Sequence, residues 1–128
     1  MKIVTHQSID PTLCGHPQKV SQGRSRVELK TLDTMAADET GLVHGGFIFG
    51  LADYAAMIAV NHPNVVLGSA DVKFLKPVSV GETVVAEAHV EQIQGKKHRV
   101  AVSVENGGET LFRGVFVCFV LDRHVLSK

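Results

Sequence analysis

The chain has 128 residues, the size of one domain, and an aliphatic core is expected because it contains six Phe, one Tyr and no Trp. Its 13 basic and 13 acidic residues cancel, so no electrostatic attraction to nucleic acid or to an anionic membrane surface is expected. The N-terminal residues lack an apolar signal core, and no apolar run approaches the length of a membrane span. Together with two widely separated cysteines, Cys14 and Cys118, this predicts a cytoplasmic protein with reduced thiols.

The first part of the chain is weakly patterned. Residues 1–22 show little hydrophobic periodicity and are interrupted by Pro and Gly, so an irregular lead-in is predicted before a single domain at 23–128. Alternation of polar and apolar residues predicts a strand over 24–30. The only strong helical segment is 45–61, and it ends before Pro63 because proline cannot continue the hydrogen-bond ladder.

Four more strands with period-2 alternation follow the helix and are joined by short turns. The resulting fold class is α+β, in which a single curved antiparallel sheet wraps a helix that is apolar nearly all round. The last strand is apolar on both faces near its end, which predicts a central position in the sheet or a subunit interface. The four predicted strands are 65–76, 83–93, 98–105 and 111–121.

Asp53 is the only charged residue between Gly45 and Val60. A carboxylate in such apolar surroundings must be paired, protonated or functional, because desolvating an unpaired charge costs several kcal/mol. Gly46 and Gly50 share its helix face, so another molecule can approach that face closely. The structural alternative is a helix contact across a dimer, with Asp53 hydrogen-bonded to a neighbouring strand.

His44, Gly45 and Gly46 stand at the predicted start of this helix. Free backbone N–H groups and the positive end of the helix dipole favour a developing oxyanion there, and a carboxylate on the same helix favours acyl chemistry. Gly45 and Asp53 are separated by about 12 Å along a helix axis, so one reacting carbonyl cannot contact both groups of a single chain. If the two groups cooperate, Asp53 acts with Gly45 of a second subunit at a symmetric dimer interface.

Two motifs carry a family resemblance. The segment HGGFIFGLAD, which ends at Asp53, resembles the HGG…LAD signature of hotdog-fold acyl-CoA thioesterases of the phenylacetic-acid-pathway type. The segments DVKFLKP at 71–77 and GETV at 81–84 are similar to a strand and turn of the same family, and the resemblance covers about residues 25–121. It implies a hotdog fold with a five- or six-stranded antiparallel sheet, assembled as a homodimer or as a homotetramer built from two dimers.

The resemblance also implies an activity: hydrolysis of small to medium acyl-CoA thioesters, with coenzyme A as part of the substrate and no separate cofactor. The catalytic carboxylate, as general base or nucleophile, falls on Asp53, and the N–H that polarises the thioester carbonyl falls on Gly45. His44 is a candidate for orienting the turn, binding the substrate or assisting proton transfer. Tyr54 and Asn61 either line the pocket or cap the helix. The candidate substrate-binding residues are Gly46, Tyr54, Asn61, Lys76 and Arg113, with Lys96, Lys97 and Arg99 as further cations for the phosphates.

Other chemistries have less support. The seven histidines form no i, i+4 pair and no Cys–His cluster, so no metal is predicted. A hydroxyacyl-thioester dehydratase would use His44 and Asp53 together, but this histidine precedes Gly-Gly rather than Phe-Pro. A non-catalytic regulator that binds acyl-CoA is the remaining alternative, and it would bind ligand without releasing thiol.

Overall fold

The computed structural model describes residues 1–127. One long helix lies against a six-stranded antiparallel sheet with strand order β1-β2-β4-β5-β6-β3. This α+β arrangement confirms the predicted hotdog fold. The elements are α1 (Pro11–Cys14), β1 (His16–Ser21), β2 (Arg24–Lys30), a 3-10 turn (Asp33–Met35), α2 (Gly45–Val60), β3 (Val65–Phe74), β4 (Thr83–Gln94), β5 (Lys97–Asn106) and β6 (Glu109–Val120).

Helix α2 is the centre of the hydrophobic core. Nine of its 16 residues are buried, as expected for a helix that is apolar nearly all round. Asn61 ends it in the left-handed conformation, with φ of 52°, and its backbone N–H donates to the carbonyl of Met57. The buried hydroxyl of Ser25 donates to the carbonyl of Ala55 at 2.6 Å and ties β2 to the helix.

The inner face of the sheet packs on α2 through the predicted alternation. On β5, Val100, Val102 and Val104 are all buried. Strand β6 lies between β5 and β3, which confirms the interior position predicted for it. Its helix-facing residues Phe112 and Phe116 are fully buried, and their rings contact each other at 6.4 Å between centroids. On the opposite face of β6, Val115, Val117 and Phe119 are only partly buried, so strand pairing alone does not cover this apolar face.

Strand β3 is an edge strand, paired with β6 on one side. Within residues 1–127 the opposite backbone edge of β3 has no strand partner. Val65 is its only buried residue, and the Phe74 side chain is 56% exposed. This unpaired edge is ten residues long, carries two charged side chains, Asp71 and Lys73, and presents its free backbone N–H and C=O groups outward.

The lead-in expectation was wrong in one respect, because residues 1–22 are partly regular. Asp10 caps the short helix α1 by accepting from the Thr12 N–H at 2.9 Å, and β1 pairs antiparallel with β2. Strand β1 has only two partly buried residues, so hydrophobic alternation could not reveal it. Its stability comes from the ladder to β2, which is a tertiary contact.

Candidate functional site

Asp53 projects from the face of α2 that the sheet leaves partly uncovered. The residue is partly buried, and its Oδ1 atom is buried without a hydrogen-bond partner among residues 1–127. Burial raises the pKa of the Asp53 carboxyl to about 6, because desolvation penalises the charged form. Within the protomer, Oδ1 of Asp53 therefore forms no hydrogen bond to a neighbouring strand, in contrast to the structural alternative.

Open space lies beside Asp53. Gly50 is one turn earlier, and a Cβ atom built there meets nothing within 4 Å. Phe49 is partly exposed, and its ring lies 5.4 Å from that of Phe116 on β6. Burial and, to a smaller extent, the nearby Asp53 charge raise the pKa of the Cys118 thiol to about 12. The Asp53 charge also raises the pKa of Cys14 at the end of α1, so the carboxylate lies within electrostatic reach of both α1 and β6.

The first turn of α2 borders a second feature, an apolar cavity of about 350 Å³. Gly45 lines it, and a Cβ atom on Gly45 would stand 3.1 Å from Cε1 of Phe74. A Cβ atom at this position would therefore require the Phe74 ring to shift by a few tenths of an ångström. Within residues 1–127 the Gly45 N–H has no backbone acceptor, as expected for the first turn of a helix. The remaining lining residues are Val43, Ile48, Phe74, Leu75, Lys76, Pro77, Val78 and Leu111.

His44 occupies the N-cap position of α2. Its side chain makes no capping hydrogen bond; its backbone N–H donates to the carbonyl of Met35 at 2.9 Å. The exposed imidazole meets the Phe47 ring edge-on at 6.3 Å and lies 3.1 Å from a Cβ atom built on Gly46. The turn is thus held by its backbone, and the histidine ring remains accessible at the helix start.

The protomer does not bring the two predicted chemical groups together. Gly45 and Asp53 lie on one straight element and are separated by about 12 Å along its axis. The distance is fixed by the helix, so no side-chain rotation can close it. The roles predicted for Asp53, Gly45 and His44 stay predictions.

The remaining candidates are scattered. Tyr54 is only 6% exposed and lies under the N-terminal segment, with its ring 6.3 Å from that of His6. Asn61 accepts from the Val4 N–H at 2.8 Å and donates to the Lys2 carbonyl at 2.9 Å. These bonds favour the structural alternative for Asn61. Sequence reasoning missed this docking of the first residues on α2, because nothing in their pattern signals it.

The two candidate cations lie on different sides of the sheet. Lys76 lines the cavity beside Gly45 and pairs with Glu109. Arg113 lines a groove on the outer face of the sheet, opposite the helix. Only Lys76 is therefore near the start of α2. Sequence reasoning also missed that the Phe74 ring lies against Gly45 and lines this cavity, although the FLKP segment that contains Phe74 forms part of the family resemblance.

Two further observations concern the described part of the chain. Among residues 1–127, no three His, Cys, Asp or Glu side chains lie together as a metal site requires, and the absence of a metal in the reaction stays a prediction. No helix in this range is long and apolar enough to cross a membrane.

Comparison with known proteins defines the class of this protein. Residues 40–112 match the family described as the Thioesterase superfamily. This match spans more than half of the chain and includes α2, β3, β4 and β5. The chain therefore belongs to the thioesterase superfamily, and the family resemblance stated from the sequence motifs is confirmed.

Individual relatives share this domain in different settings. The chain is 52% identical over 123 residues to a methylthioribose-1-phosphate isomerase from Aquifex aeolicus, covering 95% of this chain and 27% of that protein. It is 31% identical over 96 residues to the transcription factor FapR of Caldanaerobacter subterraneus, covering 75% of this chain and 48% of that protein. The chain thus spans about a quarter to a half of the length of these curated relatives.

Among solved structures, the uncharacterized protein PH1136 from Pyrococcus horikoshii is similar over nearly the whole length. The identity is 50% and the TM-score 0.98, with 99% of this chain and 98% of that chain covered.

Proposed function

We propose that this protein is a hydrolase that cleaves small to medium acyl-CoA thioesters, with Asp53 as the general base and the Gly45 N–H as the oxyanion donor. The observation that carries the proposal is the buried, unpartnered carboxylate of Asp53 beside open space. A carboxylate with a pKa of about 6 is deprotonated at neutral pH and is a stronger base than an ordinary aspartate. The free N–H at the start of α2 supplies the complementary donor.

The chemical step needs these two groups only. Asp53 accepts a proton from water as the water oxygen attacks the thioester carbonyl, and the carbonyl oxygen becomes negative beside the Gly45 N–H. The C–S bond then breaks, the carbonyl re-forms, and the sulfur takes up the proton that Asp53 accepted, which returns Asp53 to its charged form. The products are a carboxylic acid and free coenzyme A. Direct attack by Asp53 would instead pass through an anhydride, and ¹⁸O found in Asp53 after a single turnover in labelled water would establish that route, because the label enters when water attacks the aspartyl carbonyl of the anhydride.

The proposal requires two subunits. The edge of β3 is ten residues long and unpaired on one side within residues 1–127, so β3 of a second copy can extend the sheet. A two-fold axis there would bring Asp53 of each subunit toward the helix start of the other. The predicted homodimer, or homotetramer of two dimers, is thus part of the proposed mechanism.

The first test measures thiol release from a panel of acyl-CoAs with a thiol reagent. Asp53→Asn should lower kcat at least about 100-fold in a protein that remains folded and dimeric. Gly45→Pro removes the N–H at the first helical position, where proline is tolerated, and His44 already has the extended backbone that a following proline favours. Gly45→Ala is the matched control, because it adds the same Cβ atom near Phe74 but keeps the N–H.

Mixed dimers test whether the site is shared. Asp53→Asn and Gly45→Pro homodimers should both be inactive, whereas a mixed dimer has one site with neither defect. Equal co-expression should restore about one quarter of wild-type activity if subunits mix at random. If a verified mixed dimer shows no recovery of activity, Asp53 of one subunit does not act with Gly45 of the other, and the proposed shared site is refuted.

Regulation is the second candidate function. It is favoured by the similarity to transcription factor FapR, of which the chain covers about half. In that case the domain would bind an acyl-CoA and change its interaction with a partner. The same assay distinguishes the two candidates: binding of acyl-CoA without thiol release by the wild type supports the regulator.

A further inference from the structure

The outer face of the sheet carries a groove of about 830 Å³ that the proposed hydrolysis does not use. It lies on the side opposite α2, because its exposed residues alternate with those that pack on the helix. Arg24 and Arg26, for example, flank the buried Ser25 on β2. A volume of several hundred Å³ is that of a small-molecule site. The groove is therefore a separate feature of the same protomer.

Positive charge is concentrated around this groove although the whole chain is neutral. Five Lys and Arg side chains line it, against three acidic ones. Two of the acids are already paired: Glu87 with Arg26, and Glu91 with Arg99, which lies outside the groove. Within residues 1–127 the other four lining cations form no ion pair. These four are Lys19, Arg24, Lys73 and Arg113.

One pair of cations stands face to face across two strands, and the acid nearest to it is Asp71, which lies two residues from Lys73 on the same face and forms no ion pair within residues 1–127. Lys73 on β3 stands directly opposite Arg113 on β6 in the antiparallel ladder. Side chains opposite each other on one face are neighbours, and like charges in such a pair are destabilising. A phosphate group placed between them would turn this repulsion into two charge-assisted hydrogen bonds, with the Arg113 guanidinium able to bind bidentately.

The groove has one basic rim at Arg24 on β2 and another at Lys73 and Arg113, and the residues between the two rims have small, partly apolar side chains. Register places Ala101 opposite Val115 and Ser103 opposite Arg113 at the centre of the sheet. Arg24 on β2 lies three strand spacings from β6, or about 14 Å at the usual spacing. One phosphate ion cannot bridge that width. A planar apolar group over Ala101 and Val115, with phosphates at one rim, fills it.

We propose that the outer groove binds a nucleoside polyphosphate, with the base on the floor formed by Ala101 and Val115 and the phosphates between Lys73 and Arg113. Arg24 closes the opposite rim. The cationic excess opposes stacking of a second copy on this face, because the same unpaired cations would meet. The occupant is therefore an anionic small molecule.

The test is calorimetric titration of the intact protein with ATP, with adenosine as the ligand that lacks phosphates. ATP should bind and adenosine should bind at least about tenfold more weakly, and the ATP affinity should fall as salt is raised. Lys73→Gln and Arg24→Gln should each weaken ATP binding about threefold to tenfold. Lys30→Gln is the matched control, since it removes a cation from the same face of β2 outside the groove, and it should leave the affinity unchanged.

Four results would overturn the proposal. One is no ATP binding by the wild type. Another is equal weakening by Lys30→Gln, which would indicate nonspecific charge attraction. The third is loss of ATP binding in Lys76→Gln with none in Lys73→Gln, which would move the nucleotide to the cavity beside Gly45. Sedimentation of the same variants decides whether the groove is instead occluded by a second copy, which would also overturn it.

Discussion

Neutralising Asp53 should make the protein more stable while it abolishes the proposed activity. The folded state raises the pKa of this carboxyl from 3.8 to about 6, whereas the unfolded chain leaves it near its ordinary value. Between pH 4 and 6 the folded state therefore binds more protons than the unfolded state, and the free energy of unfolding falls as pH rises. At about 1.4 kcal/mol per pKa unit, the loss is at most about 3 kcal/mol above pH 6.

Asp53→Asn removes this penalty, because the amide has the same shape and no charge. Near pH 4 the Asp53 carboxyl is protonated in the folded wild type, so the difference in free energy of unfolding between the variant and the wild type reflects packing and hydrogen bonding only. Above pH 7 the variant should gain a further 1–3 kcal/mol, roughly, relative to the wild type. Since the amide is equally polar at every pH, the pH dependence of the difference isolates the charge of Asp53 from any change in packing.

Urea denaturation of both proteins at pH 4, 5, 6, 7 and 8, at one fixed protein concentration, measures the difference. The concentration must be fixed because dimer dissociation contributes to the apparent stability. A difference that does not change with pH would refute the reasoning, since it would mean that Asp53 has a partner that offsets its desolvation. Thiol release measured on the same samples links the stability gain to the loss of function.

Three further predictions follow from named contacts. If Asp53 is the base, kcat/KM for thiol release should rise with pH through about 6 and then level, and a profile that falls across this range would contradict that role. Asn61→Gly keeps the left-handed φ but loses both hydrogen bonds to the N-terminal segment, so hydrogen exchange should show faster exchange in that segment while α2 stays protected. Unchanged protection of the segment would disprove the docking role of Asn61. Asn61→Ala should lower stability further, because alanine is strained at this positive φ. Phe112→Ala should lower the free energy of unfolding by about 3–5 kcal/mol in the same urea assay, whereas Ile93→Ala on β4, where the side chain is 62% exposed, should cost much less.

Local patterns predicted most of the architecture. A strand that buries one face must alternate, as Val100, Val102 and Val104 do, and a helix surrounded by protein must be apolar on most sides. The end of α2 was predictable for a similar reason, since Asn61 tolerates the left-handed conformation and Pro63 forbids continuation. These features depend on residues close together in the chain.

The lead-in shows where such reasoning fails. Strand β1 forms because β2 offers it a backbone ladder, and Gly15 fits because a Cβ atom there would stand 2.7 Å from Val27 and 2.9 Å from Leu51. Neither partner can be read from residues 1–22. Contacts between distant segments do not leave a periodic signal in either segment.

The candidate site divides in the same way. By itself the sequence determined that one carboxylate stands on an apolar helix, that two glycines open that helix, and that the helix geometry keeps Gly45 and Asp53 apart. Only the tertiary structure decided that Oδ1 of Asp53 lacks a partner, that Phe74 closes on Gly45, and that Arg113 faces the outer groove. The reason is physical: burial, and hence the pKa of a carboxyl, depends on which distant strands pack around it, and the strand order is set by the whole core.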